Sequence, residues 1–239
     1  ILKMNIPTYV ITMIGEGISE MLAQECIDSA NKFGIQPEIF PATWGDDVDK
    51  HFSEQDLKVF KKGQNRKEIN PGLKGCLLSH YRLWKKCIAS AKPMMIFEHD
   101  NFVLREIPEN LMNTFEDVLH LDFASRNVVN YEDHTKTYHG DGVKQWRPVL
   151  PRLSGHELYN KTHIKGSHAY IIKPLGATKM VDWVWNVGAM SPDLAMNSTA
   201  IDLRYTLTSF CRINPRYWME SKKRSKNSFC RPKRYKNDV

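Results

Sequence analysis

Two uninterrupted apolar runs, Thr8-Tyr9-Val10-Ile11-Thr12-Met13 and Met94-Met95-Ile96-Phe97, constrain this chain more than any other feature. Neither alternates apolar with polar residues, so each is suited to a strand covered on both faces, as in a parallel sheet flanked by helices. After the first run comes a turn at Gly15 and Gly17. Ile18, Leu22, Cys26, Ser29 and Phe33 then recur at helical spacing, with Gly34 placed to end the helix in a left-handed conformation. The strand Glu38-Ile39-Phe40 follows and completes a βαβ unit. Before the second run, Pro71-Gly72 opens a helix with Leu73, Leu77, Trp84, Ile88 and Ala91 on one face and Pro93 as its stop. The pattern predicts an α/β fold with a mostly parallel sheet.

Elsewhere the reading is coarser. Residues 45–70 are charged and punctuated, and predict a surface excursion with one short helix. Residues 120–165 lack sustained periodicity and read as long loops, the natural place for acceptor recognition. Ala169-Tyr170-Ile171-Ile172 is a further strand, Ala177, Met180, Val181 and Val184 mark a helix after Pro174 and Gly176, and a last helix is expected from about Leu203 to Phe210.

The 239 residues fit one domain, read as residues 1–220, with 41% hydrophobic residues to supply its core. The net charge of +7 lies in residues 221–239, where eight Lys or Arg face one Asp, leaving 26 basic and 26 acidic residues in the rest. Such a tail, with Phe229 and Tyr235 interleaved, suits a polyanion, whether nucleic acid, anionic lipid or a diphosphate; a solvated terminus has the same composition. Five cysteines without a CxxC pair suggest neither a disulfide framework nor a cysteine zinc site. No apolar run approaches the roughly twenty residues of a bilayer span. A cytoplasmic protein is expected, peripheral to the inner membrane or phage-encoded in the host cytoplasm.

The chemistry concentrates where the second apolar run meets Glu98-His99-Asp100. Ligands of open α/β sheets bind beyond the carboxyl ends of the strands, which is where this pair of acids falls. One or two carboxylates with phosphate oxygens suffice for Mg²⁺ or Mn²⁺. A solvated turn would carry the same triplet, and a nucleotidyltransferase would use similar acids, although no Gly-rich phosphate loop accompanies these.

Several blocks resemble glycosyltransferase family 25, which includes bacterial lipooligosaccharide and collagen galactosyltransferases. Gly75-Cys76-Leu77-Leu78-Ser79-His80-Tyr81-Arg82-Leu83-Trp84 is similar to the family's GCxxSHxxxW block, and Ile96-Phe97-Glu98-His99-Asp100 to its strand ending in three acids. The segment from Lys165 to Ala177 resembles its G-T-x-x-Y block, Ala200-Ile201-Asp202 its P-(I/V)-D element, and Phe40 to Gly45 its A-x-x-G turn. His99 replaces the family's middle Asp, and Gly15 to Glu20 replaces an arginine-bearing stretch.

This resemblance implies a GT-A fold and a UDP-sugar donor, with Mn²⁺ or Mg²⁺ and an inverting single displacement. It implies Asp100 as principal metal ligand, Glu98 as second ligand or ribose contact, Asp202 as general base, and Thr12 in the nucleoside pocket. Ser79 and His80 would line the donor site, Arg82 would meet the diphosphate and His168 would complete the metal site. Each has a plainer role open to it: helix N-cap for Asp202, internal hydrogen bonds for Ser79, His80 and His168, a salt bridge for Arg82. Two acceptors suit the basic tail, an anionic lipooligosaccharide and DNA with a hydroxymethylated base. The competing class is a nucleic-acid-binding module on an inactive glycosyltransferase scaffold.

Overall fold

A computed structural model describes residues 6–59, 71–122, 142–145 and 166–217. The expected βαβ unit opens the chain as β1 (Thr8–Thr12), α1 (Gly17–Asn31) and β2 (Glu38–Pro41). Gly15 takes the turn at φ 84° and Gly34 the left-handed position at φ 77°. The Glu16 carboxylate caps α1 by accepting the Ile18 and Ser19 amides, which a helix start otherwise leaves unpaired.

Then come α2 (Val48–Glu54), α3 (Pro71–Ser90), β3 (Met94–Glu98), β4 (Asn101–Val103), a 3-10 turn (Glu109–Asn113) and β5 (Val118–His120). The rest is β6 (Val143–Gln145), β7 (Ala169–Ile172), α4 (Pro174–Val187), α5 (Pro192–Ala195), β8 (Leu203–Thr206) and β9 (Cys211–Ile213). The long α3 stops at Ala91, which turns to φ 51° before Pro93. Its sheet-facing side is Leu77, Leu78, Tyr81, Trp84 and Cys87, whereas Ile88 is 37% exposed and Ala91 is also on the surface.

The main sheet runs β2-β1-β3-β7-β5-β8-β6, and β4 pairs with β9 in a small second sheet. β1 pairs in parallel with β2 and β3, and β5 with β8, while β7 lies antiparallel between β3 and β5. Side chains alternate across the sheet. Tyr9, Ile11, Met94, Ile96, Tyr170 and Ile172 pack beneath α2 to α5; Val10, Met95, Phe97, Ala169 and Ile171 pack beneath α1 and the turn at Leu111. Helices on both faces explain why these strands carry no polar alternation.

Residues 203–210 are not a helix. Leu203–Thr206 pairs with β5 on one side and β6 on the other, so sheet hydrogen bonds override the helical reading. The excursion at 45–70 contains α2, with 60–70 outside the described residues. Of the expected loops at 120–165, the first residues and β6 are described; His134, His139, Trp146, His156 and His163 lie outside, as does the tail at 221–239. No helix among the described residues is long and apolar enough to cross a membrane.

Candidate functional site

Since β1, β2, β3, β5 and β8 run one way, their carboxyl ends gather at one edge, and the reversed β7 brings its first residues to that same edge. Glu98 ends β3, and its amide bonds the His168 carbonyl; one strand further, the Leu121 amide bonds the Ala169 carbonyl. Glu98, His168 and Asp122 thus form one row across three strands. Neighbouring strands are about 4.8 Å apart, so the Glu98 and Asp122 backbones stand about 10 Å apart.

Glu98 ends a directed chain of hydrogen bonds. The Trp84 indole can only donate, and it donates to the Tyr170 hydroxyl at 2.9 Å. Tyr170 sits 2.8 Å from His80 Nδ1, and His80 Nε2 lies 3.2 Å from Glu98 Oε1. An ionised carboxylate only accepts, so Nε2 carries a proton, Nδ1 accepts, and the tyrosine proton points to His80. Trp84, Tyr170 and His80 are all buried, and the His80 and Tyr170 rings stack at 5.7 Å. Ser167 donates to the same Oε1. Burial alone would raise the Glu98 carboxyl, but the hydrogen bonds from His80 and Ser167 and the neighbouring imidazoles outweigh it and bring the pKa to about 2. Its side chain stays 25% exposed. Both bonds fall on Oε1, so Oε2 is the oxygen to meet a ligand.

Beside this chain lies a second group. His120 Nε2 faces the Gly166 carbonyl at 2.9 Å and donates to it, while Nδ1 lies 3.0 Å from the Asp122 carbonyl and 3.3 Å from the Asp122 amide. Burial, then the neighbouring His168, holds His120 below the usual histidine range. The rings of His120 and His168 meet edge to face at 5.4 Å. His168 Nε2 lies 3.3 Å from Asp122 Oδ2, and the Ser209 hydroxyl donates to Asp122 Oδ1 at 2.7 Å. Burial pushes the Asp122 carboxyl up, but His168 and Ser209 outweigh it and hold it below the usual carboxylate range. Asp122 is not among the residues singled out from the sequence; its one signal is an acid two residues past the short strand Val118–His120.

Among the described residues, Cys76, His80 and Glu98 each offer a ligand atom within 4.8 Å of the others, close enough for one ion. A thiolate, an imidazole and a carboxylate would suit a zinc-like ion better than Mg²⁺. An ion there must take His80 Nε2. Its proton would move to Nδ1, facing a Tyr170 oxygen that already accepts from Trp84 and leaving the tyrosine proton without its acceptor. The hydrogen-bonded chain therefore fits this triad poorly.

The other expected residues divide. Thr12 ends β1 at this edge, but it is buried and its hydroxyl bonds the Val10 carbonyl. Ser79 accepts the Thr43 amide and donates to the Gly75 carbonyl, tying α3 to the loop after β2. Arg82 holds that loop from outside, donating to the Pro41 carbonyl and the Thr43 hydroxyl and lying over the Phe40 ring. Asp100 is buried; its carbonyl accepts the Asn214 amide, and its charge adds to burial in pushing the Cys26 thiol on α1 up to about 12. Neither Asp100 nor His168 belongs to the ion-sized cluster.

Asp202 lies at the opposite edge. It precedes Leu203, which shares a row with Val118, Ile172 and Met94, three strands and a strand's length from Glu98, roughly 20 Å away. There it accepts the Glu116 amide and pairs with Arg204 at 2.9 Å, and its own amide bonds the buried Asp117. It is neither beside Glu98 nor the cap of a helix, since β8 follows it.

No curated protein matches the chain. The family model of glycosyltransferase family 25, described as LPS biosynthesis protein, matches residues 16–196 and so includes α1, α3, β3, β5 and β7. That span holds the Trp84–Tyr170–His80–Glu98 chain and Asp122, and it covers most of the sequence: the protein belongs to glycosyltransferase family 25 and is a glycosyltransferase.

Proposed function

We propose that the protein transfers a sugar from a UDP-sugar to a hydroxyl, inverting the anomeric carbon, with Mn²⁺ or Mg²⁺ bound through Glu98. One observation carries this reading: Glu98 ends β3 at the ligand-binding edge of the sheet, ionised, oriented by His80 and Ser167, and partly open to solvent. A bound divalent cation supplies positive charge to offset that developing on the departing diphosphate. Glu98 holds its carboxylate fixed before any ligand arrives, so little reorganisation is needed when charge moves. The Thr43 loop, anchored by Ser79 and Arg82, forms the neighbouring wall, with Trp44 43% exposed at the carboxyl end of β2.

For the acceptor we assign a hydroxyl of a lipopolysaccharide-type glycolipid, supported by the family's description. The basic segment 221–239 would then approach anionic lipid phosphates. The test is UDP release from UDP-galactose and UDP-glucose with Mn²⁺, with EDTA, and in Glu98→Gln. Expected are metal-dependent release and a loss of at least about 100-fold in the variant, the scale of removing a preorganised electrostatic group. Release indifferent to EDTA would remove the metal from the reading. Tight, salt-sensitive DNA binding without UDP release would favour a nucleic-acid-binding module. Glycosylated nucleosides from hydroxymethylated DNA would move the acceptor to DNA.

A further inference from the structure

Asp122 sits in the same row as Glu98, one strand beyond His168; its Oδ1 accepts the Ser209 hydroxyl, from the turn after β8, and its Oδ2 lies 3.3 Å from His168 Nε2. His168 is buried at 3% side-chain exposure with its ring against that of His120, while Asp122 keeps 14% of its side chain exposed. So much support around one partly open acid has no counterpart in a stability role, because an apolar residue would fill the end of β5 without desolvating a charge. The backbones of Glu98 and Asp122 lie about 10 Å apart across two strand spacings. The His168 side chain stands between them in that row, and a sugar ring reaching both acids would lie across it, with the leaving diphosphate toward one carboxylate and the incoming hydroxyl toward the other.

We propose that Asp122 is the catalytic carboxylate that takes the proton of the acceptor hydroxyl, with Ser209 and His168 as its positioning residues. The inference rests on the donor reading above. In the step, the acceptor oxygen bonds to the anomeric carbon and its proton passes to a carboxylate oxygen of Asp122. The bond from that carbon to the nucleoside diphosphate breaks, and its electron pair leaves with the diphosphate. Ser209 and His168 stand around the carboxylate and orient it for that transfer.

The experiment uses UDP-galactose with Mn²⁺ and water in place of the acceptor, on the full chain. UDP release is measured beside UDP affinity by calorimetry and thermal melting. Asp122→Asn should lower the release rate by about 100- to 10,000-fold, the usual contribution of a positioned base, with UDP affinity within about threefold. Ser209→Ala keeps the carboxylate but frees one oxygen, and should lower release about tenfold at unchanged UDP affinity. Release within threefold of wild type in Asp122→Asn overturns the proposal, as does UDP affinity falling in step with release, which would make Asp122 a donor contact. Should Asp122→Asn fail to fold, unchanged release in Ser209→Ala overturns it instead. A wild type that releases no UDP from UDP-galactose or UDP-glucose overturns the donor reading, and this inference with it.

Discussion

Replacing Tyr170 with Phe isolates the hydrogen-bonded chain behind Glu98. The substitution keeps the ring that stacks on His80 and removes one oxygen. That oxygen accepts the Trp84 indole and donates to His80 Nδ1, so two buried groups lose their partners at once. Each orphaned buried group costs about 1–3 kcal/mol, so the variant should lose about 2–6 kcal/mol. For a domain of this size 1 kcal/mol moves the melting temperature by about 2–4 °C, which predicts a fall of roughly 4–24 °C. Denaturant unfolding followed by tryptophan fluorescence gives the free energy directly. Adding Trp84→Phe removes one orphan, so the double variant should cost less than the sum of the singles, by about 0.5–3 kcal/mol. A Tyr170→Phe protein within about 0.5 kcal/mol of wild type would refute the shared-hydroxyl argument, since that is the range of unconnected surface changes.

Other consequences are open to simpler measurements. The Glu98 carboxyl falls from the ordinary 4.5 to about 2 on folding, so it contributes stability above pH 4.5 that is lost as pH falls towards 2; Glu98→Gln should flatten acid unfolding in that window, and an unchanged acid limb counts against the assignment. A Cβ on Gly75 would fall on the Thr43 carbonyl oxygen; Gly75→Ala should cost about 1–3 kcal/mol by overpacking, seen as a lower melting temperature with weakened UDP binding. Burial lifts the Cys26 and Cys87 thiols to about 12 and raises Cys211 strongly. Among the four described cysteines, native-state iodoacetamide labelling read by peptide mass spectrometry should therefore find Cys76 alone. Asp202→Ala should destabilise by about 1–3 kcal/mol, through the lost Glu116 and Arg204 contacts, with UDP release near wild type; a loss of about 100-fold would restore Asp202 to the reaction.

How legible each part was follows from how local its cause is. β1 and β3 announce themselves because both faces are covered, and α1 because its cap and its Gly34 stop lie within a few residues of it. β8 was misread because Leu203-Arg204-Tyr205-Thr206 has no pattern of its own, and its strand form comes from β5 and β6. Glu98 stands out in the sequence by its place at a strand end, but the different surroundings of Glu98 and Asp100 depend on the turn at residues 99–100 and on contacts with α3 and Asn214. The resemblance gives Ser79, His80 and Arg82 a common place at the donor site; in the structure Ser79 and Arg82 secure a loop and His80 bonds a carboxylate, contacts made with residues far along the chain. Asp122 acquires its surroundings from Gly166, His168 and Ser209, all more than forty residues away, and no local signal carries that.

The placing of β7 between β3 and β5 also dictates how the protein must be made. Until the ribosome has delivered residues 166–172, β3 has one flank open, and Met94 to Phe97, all buried in the finished protein, border an unpaired edge. Such an edge recruits other chains, and its closure waits on a partner seventy residues downstream, a slow kind of contact. Nascent chains halted before residue 166 should therefore be insoluble or chaperone-bound, and competence should arrive in one late step as the last strands close.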